Sequence, residues 1–117
     1  MVLNTLIAAL ILIAPLTAQA RPPMVSGIAS YYGWREHGRT MANGHKFNAR
    51  GLSAASRTLP LGARIRVTRI SNGRHVVLRV TDRGPYAKGR ILDLSLGAAK
   101  QLGMLDIGVA QVRIDIL

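Results

Sequence analysis

The sequence predicts a mainly β protein, five or six short strands and one small helix closed into a compact β-barrel that carries the helix in one crossover. Three observations carry that prediction. Apolar and polar residues alternate with period two in separate runs at Val25 to Tyr32, Ala63 to Ile70 and Val109 to Leu117. Asn72-Gly73, the strongest short hairpin signal in the chain, stands between the second of these runs and another strand-like segment. No cysteine occurs, so a small domain without disulfides must hold itself together by packing and backbone hydrogen bonds, which favours a closed β architecture.

The 117 residues bound the chain to one domain. Val2 to Leu16 is apolar apart from Asn4 and Thr5, is short for a membrane span and meets Pro15; Ala18-Gln19-Ala20 has the small-x-small form of a signal-peptidase site. Residues 1 to 20 therefore read as a secretory signal peptide, and export to the periplasm or cell wall follows. The n-region has no Lys or Arg, and the alternative is an uncleaved N-terminal anchor. Arg21-Pro22-Pro23-Met24 opens a linker taken to residue 26, with the folded domain at 27 to 117.

In the first strand, Ile28, Ser30 and Tyr32 alternate with Ala29 and Tyr31, and Gly33 ends it. Trp34 to Arg57 shows neither helical nor strand period and reads as loop. It holds Glu36, His37, Arg39, Thr40, Asn43, His45 and Lys46, with Trp34 and Phe47 as possible sugar-stacking surfaces or, for Phe47, a buried anchor. Thr58 to Gly62 is a turn, and Arg64, Arg66 and Thr68 then alternate with Ile65 and Val67 in a strand with a basic outer face. Asn72-Gly73 suits a type I′ turn into the partner strand Arg74 to Thr81. Gly84 and Pro85 break that strand just after Asp82. Ile91 to Leu94 is a short apolar run in which Asp93 alternates with Leu92 and Leu94, so it can face a cleft while they face a core. Ser95 is placed to cap a helix from Leu96 to Leu102, Gly103 to stop it, and Gly108 to introduce the last strand.

All sixteen Lys and Arg and all five acids follow residue 20, so the +11 charge belongs to the domain. Its partner is expected to be anionic: cell-wall glycan with peptide carboxylates, phosphate polymers or lipid headgroups. One Trp, one Phe and three Tyr make a thin base-stacking platform, and with the export signal they argue against nucleic acid. No Cys/His metal spacing occurs and no cofactor is implied; without cysteine no lipid anchor is expected. Asp82 and Asp93, two of the five acids, are the candidate catalytic residues. For Asp82 the competing role is an Asx-type cap of the Gly-Pro turn, and for Asp93 the organisation of the helix entry.

GIASYYG at 27 to 33, HGRTMANG at 37 to 44, RTLPLGARIRVT at 57 to 68, NGR at 72 to 74 and VTDRGPYAKGRILDLSLGAAKQLG at 80 to 103 together resemble the rare lipoprotein A family of septal-ring lytic transglycosylases. The resemblance covers essentially all of the chain after the signal peptide. It implies a six-stranded double-psi β-barrel with one short crossover helix, the fold of barwin and expansins. It also implies action on peptidoglycan glycan strands, whether or not stripped of stem peptides, near division-site proteins. Asp82 matches the Asp of the family's DRGP motif and Asp93 that of its RIxDLS segment. The glutamate the family commonly has after the ANG turn is His45 here, and the histidine before RTLP is Ser56. The substrate-binding candidates are Tyr32, His37, Arg39, Asn43, His45, Ser56, Arg57, Arg83, Tyr86 and Arg90.

A lytic transglycosylase uses the sugar's own C6 hydroxyl in place of water, so one carboxyl group can serve as acid and then base, where hydrolysis ordinarily needs two. The implied roles are Asp82 as acid/base and Asp93 as support. Arg83 and the cationic field oppose a protonated Asp82, so burial would have to outweigh them. Two alternatives stand beside catalysis: an expansin-like wall-binding module gripping through Arg39, Arg57, Arg83 and Arg90, and an interaction protein of the division machinery.

Overall fold

The computed structural model describes residues 24–117; the expected signal peptide at 1 to 20 lies outside them. Six strands, β1 (Met24–Tyr31), β2 (Ser53–Ala55), β3 (Arg64–Arg69), β4 (His75–Asp82), β5 (Arg90–Leu94) and β6 (Ala110–Ile116), close in the order β1-β5-β2-β4-β3-β6. The β1–β5 and β2–β4 pairs are parallel and the other four antiparallel. Helix α1 (Leu96–Gln101) lies in the crossover from β5 to β6. This is the six-stranded double-psi β-barrel with one short crossover helix that the resemblance implies.

Alternation places the core. Ile65 and Val67 of β3, Val76, Leu78 and Val80 of β4, Leu92 and Leu94 of β5, and Val112 and Ile114 of β6 point inward, and Ala98, Ala99, Leu102 and Met104 join them from the helical crossover. Each fully buried Leu or Ile is worth roughly 1.5–3 kcal/mol relative to exposure, so the closed sheet needs no disulfide. Ser95 caps α1, its hydroxyl accepting from Ala98 N–H at 3.3 Å, and Gly103 ends the turn at φ +70°. Side chains of Arg69 and Asn72 donate to the Leu102 carbonyl at the other end.

Three features differ from the sequence expectations. First, β1 begins at Met24, which pairs with Asp115, so 24–26 belong to the barrel and not to a linker. Beyond Pro22 and Pro23 each residue has a free N–H, and β6 is long enough to pair with it. Second, the segment 34–57 contains β2, a three-residue strand with no β-branched side chain and too short to show a period. Third, the β3–β4 hairpin closes through Ile70 to Gly73 without a type I′ turn. Among the described residues none other than glycine has positive φ; Gly73, at φ +73°, donates its N–H to the Arg69 carbonyl. Asn72 is held elsewhere, its Oδ1 accepting from Arg74 N–H.

Candidate active site

The unanticipated strand assembles the site. Ala55 of β2 is in register with Asp82 of β4 on one side and Asp93 of β5 on the other, and Asp93 is in register with Ser30 of β1. One row across four strands thus reads Asp82, Ala55, Asp93, Ser30. Two strand spacings put the α-carbons of the two aspartates roughly 10 Å apart.

Their surroundings differ. Asp82 Oδ1 accepts backbone N–H groups from Ala42 and Arg83, both at 2.9 Å, and Oδ2 accepts the Tyr32 hydroxyl at 3.3 Å. All three groups hydrogen-bonded to the Asp82 carboxylate are donors. Asp93 Oδ1 accepts one hydroxyl, Ser30 Oγ at 3.0 Å, while its neighbours Leu92 and Leu94 are fully buried. Burial raises the Asp93 pKa above the ordinary carboxylate value; the Ser30 hydrogen bond opposes the rise and the charge of Glu36 adds to it. Burial, with the charges of Asp82 and Asp93, also pushes the Tyr32 hydroxyl above its usual range, so Tyr32 keeps its proton and donates.

A groove of about 340 Å³ opens over Asp93, walled by Ser30, Tyr32, Glu36, Arg39, Arg83 and Arg90, with Tyr86 at its edge. A narrow cleft shares Tyr32, Glu36 and Arg39 with it and reaches Asp82. Gly84 after Asp82 has φ +128°, a conformation that favours glycine, and the chain turns there toward Tyr86, which is 78% exposed.

Tyr32, Arg39, Arg83, Tyr86 and Arg90 are therefore at the groove with both aspartates. The other five binding candidates are not. His37 Nδ1 accepts Ala49 N–H at 3.1 Å and its ring tilts against Trp34, so it fastens the loop. Asn43 and His45 form a turn, Asn43 Oδ1 accepting His45 N–H. Ser56 is 2% exposed, and its hydroxyl accepts from Thr58 and Leu59 N–H groups, which makes it a turn cap. Arg57 donates to the Arg90 carbonyl at 3.4 Å and faces a separate hollow. The two stacking candidates also leave the groove: Phe47 is buried edge-on against Tyr32, and Trp34 carries the Arg50 guanidinium 5.1 Å from its ring.

Glu36 is the groove residue that sequence reasoning passed over as a site. A 3-10 turn over Trp34–Glu36 brings it to the walls of both the cleft at Asp82 and the groove at Asp93, and its Oε2 is buried with no hydrogen-bond partner. The available signal was its rarity, one of five acids in a strongly basic chain. Among the described residues no group of three His, Cys, Asp or Glu could hold a metal, and no helix is long and apolar enough to cross a membrane.

The sequence model of the lytic transglycolase family matches residues 24–114, almost the whole of the described barrel. The chain belongs to this family. Among curated relatives, a probable endolytic peptidoglycan transglycosylase RlpA from Synechocystis is 53% identical over 91 residues, covering 78% of this chain and 28% of that protein. The endolytic peptidoglycan transglycosylase RlpA of Pseudomonas aeruginosa is 45% identical over 96 residues, 82% of this chain and 28% of the relative. The chain thus spans about a quarter of the length of these family members. Among solved structures, the Streptomyces papain inhibitor superposes with a TM-score of 0.67 at 24% identity, covering 83% of this chain and 96% of that one. An expansin of Clavibacter michiganensis gives 0.65 at 22% identity, covering 81% and 50%. At these identities the two structures establish the barrel and nothing about its ligand.

Proposed function

We propose that the groove binds peptidoglycan glycan strands and cleaves the bond from N-acetylmuramic acid to N-acetylglucosamine, leaving 1,6-anhydro ends. The observation that carries this is Asp93: a carboxyl in a strand wall, opening into a groove, with burial favouring its protonated form. Asp93 gives its proton to the glycosidic oxygen as the C1–O bond breaks and the bonding pair goes to that oxygen. The C6 hydroxyl of the same sugar then closes on C1, and its proton passes to the Asp93 carboxylate. Proton and charge balance without water, and Asp93 is ready for another turnover.

Positive charge developing at C1 falls within the field of Glu36 and Asp82, which border the connected cleft. Arg39, Arg83 and Arg90 bring guanidinium groups to the groove, suited to the lactyl carboxylates of muramic acid. Arg83 is oriented for this by donating from Nη1 to the carbonyls of Ser56 and Leu59 at 2.9 and 2.6 Å. In this proposal Asp82 organises the loop through its three hydrogen bonds and Asp93 is the acid, where the resemblance gave Asp82 the acid/base role and Asp93 the support. Within the same proposal the protein is exported by its N-terminal signal, works in the periplasm or cell wall at the septal ring near division-site proteins, and takes strands endolytically, with or without stem peptides.

A second reading draws on the two positions where the family commonly has Glu and His. His45 is exposed and away from the groove and Ser56 is a buried turn cap, so neither replaces those side chains. A wall-binding module would use the same groove and arginines without turnover. Incubating the protein with purified, peptide-stripped glycan strands and analysing products by mass spectrometry decides between them. Anhydro-ended fragments support the transglycosylase; retention of the strands with no new ends supports the binding module.

A further inference from the structure

The groove uses the second halves of β1 and β4; their first halves join β3 and β6 in a different surface. Registers lay out its outward rows. Arg64 stands opposite Arg79; Arg66 lies between Val77 and Asp115, with Met24 beyond; Thr68 lies between His75 and Arg113, with Ser26 beyond. All four arginines are exposed. Asp115 is the one acid on these rows, and its ion pair with Arg113, at 3.4 Å, is the one salt bridge among the described residues.

Two properties of this face call for a partner. Arginines placed directly opposite on neighbouring strands, as Arg64 and Arg79 are, repel and weaken the pairing, which an anion over them would relieve; Arg79 also donates from Nη1 to the Gly62 carbonyl at 2.9 Å. Aliphatic side chains are exposed among the cations: Met24 at 62%, Ile28 at 37% and Leu117 at 49%, the last hydrogen-bonded through its N–H to the Arg64 carbonyl. A hydrated polyanion would satisfy the arginines and leave the aliphatic groups in water. An anionic bilayer satisfies both, phosphates meeting guanidinium groups and aliphatic tips entering the headgroup boundary.

We propose that the outer face of β3 and β6, with the first halves of β1 and β4, docks on an anionic phospholipid surface and leaves the groove free. The test is cosedimentation of the full chain with phosphatidylcholine vesicles, with and without phosphatidylglycerol. The apolar N-terminal sequence is common to every variant and cancels in the comparison. Removing three arginines in R64Q/R66Q/R79Q is expected to lower partition onto the anionic vesicles on the order of 100-fold, at roughly fivefold per arginine. R35Q/K88Q/K100Q removes the same charge from elsewhere and is expected to change partition severalfold at most. Met24→Ser with Ile28→Ser keeps every charge and is expected to lower it about fivefold through lost insertion. Equal losses in the two triple variants would mean a net-charge effect and overturn the proposal. So would binding to inorganic polyphosphate as tight as to vesicles, together with no effect of the two serine substitutions.

Discussion

Asp82 and Asp93 flank the same alanine in one row of the barrel, and they have been given opposite environments. Asp82 ends its strand and collects two backbone N–H groups and a tyrosine hydroxyl. Through Ala42 it fastens the 40–44 loop, which Asn43 N–H ties a second time to the Thr81 carbonyl. Asp93 lies within its strand between two buried leucines, with one hydroxyl for company, and burial disfavours its charge. Identical side chains thus meet different conditions: Asp82 fastens a loop through its donors, and Asp93, with one donor and burial, is the proposed proton carrier.

Breaking the organiser gives the largest expected loss of stability. Asp82→Ala orphans three donors and is expected to cost about 1–3 kcal/mol, seen as a fall in Tm on the order of 10 °C. Asp82→Asn keeps an acceptor oxygen and is expected to lose less. If Asp82→Ala keeps its Tm but forms no anhydro product, the chemical role belongs to Asp82 and the contrast is inverted.

A subtler probe is Ser30→Ala. The Ser30 hydroxyl favours the ionised form of Asp93, so its removal raises the Asp93 pKa further. An acid works while protonated and fails as pH rises through its folded pKa, so the descending limb of the pH–rate profile is expected to move to higher pH. A limb that stays put or moves down would separate Asp93 from the titration. The smallest effect is expected from Tyr32→Phe, which removes a single 3.3 Å hydrogen bond and leaves the edge-on contact with Phe47. A loss of about 0.5–1.5 kcal/mol by chemical denaturation is expected; a much larger one would make Tyr32 the principal support of Asp82.

The sequence displayed the strands whose period is long enough to read. Ile65 and Val67 against Arg64 and Arg66, or Leu92 and Leu94 against Asp93, are buried and outward as alternation requires. The cap at Ser95 and the stop at Gly103 were also legible, because each depends on local chemistry. Ser53–Ala55 was not: three small residues carry no period, and their pairing is decided by β4 and β5, far away in sequence. The site inherited that blind spot. Asp82 and Asp93 stood out as rare acids, but their roles rest on donors contributed by residues 30, 32 and 42, which spacing along the chain does not reveal. Polar type put His37 with the ligand, and the family's histidine position put Ser56 there, where their hydrogen bonds to backbone show them fastening loops.

Asp93→Asn, assayed for anhydro-ended product and for Tm in the same preparation, is the most direct test of Asp93 as the proton carrier. With its folded pKa above the ordinary 3.8, ionised Asp93 weighs against the folded state. Its contribution to stability is therefore greatest below that value and falls as pH rises through the folded pKa. The expected result is product formation reduced roughly 100- to 10,000-fold, with a neutral-pH Tm equal to or above that of the wild type. Product at near the wild-type rate, or a fall in Tm matching that of Asp82→Ala, would contradict it.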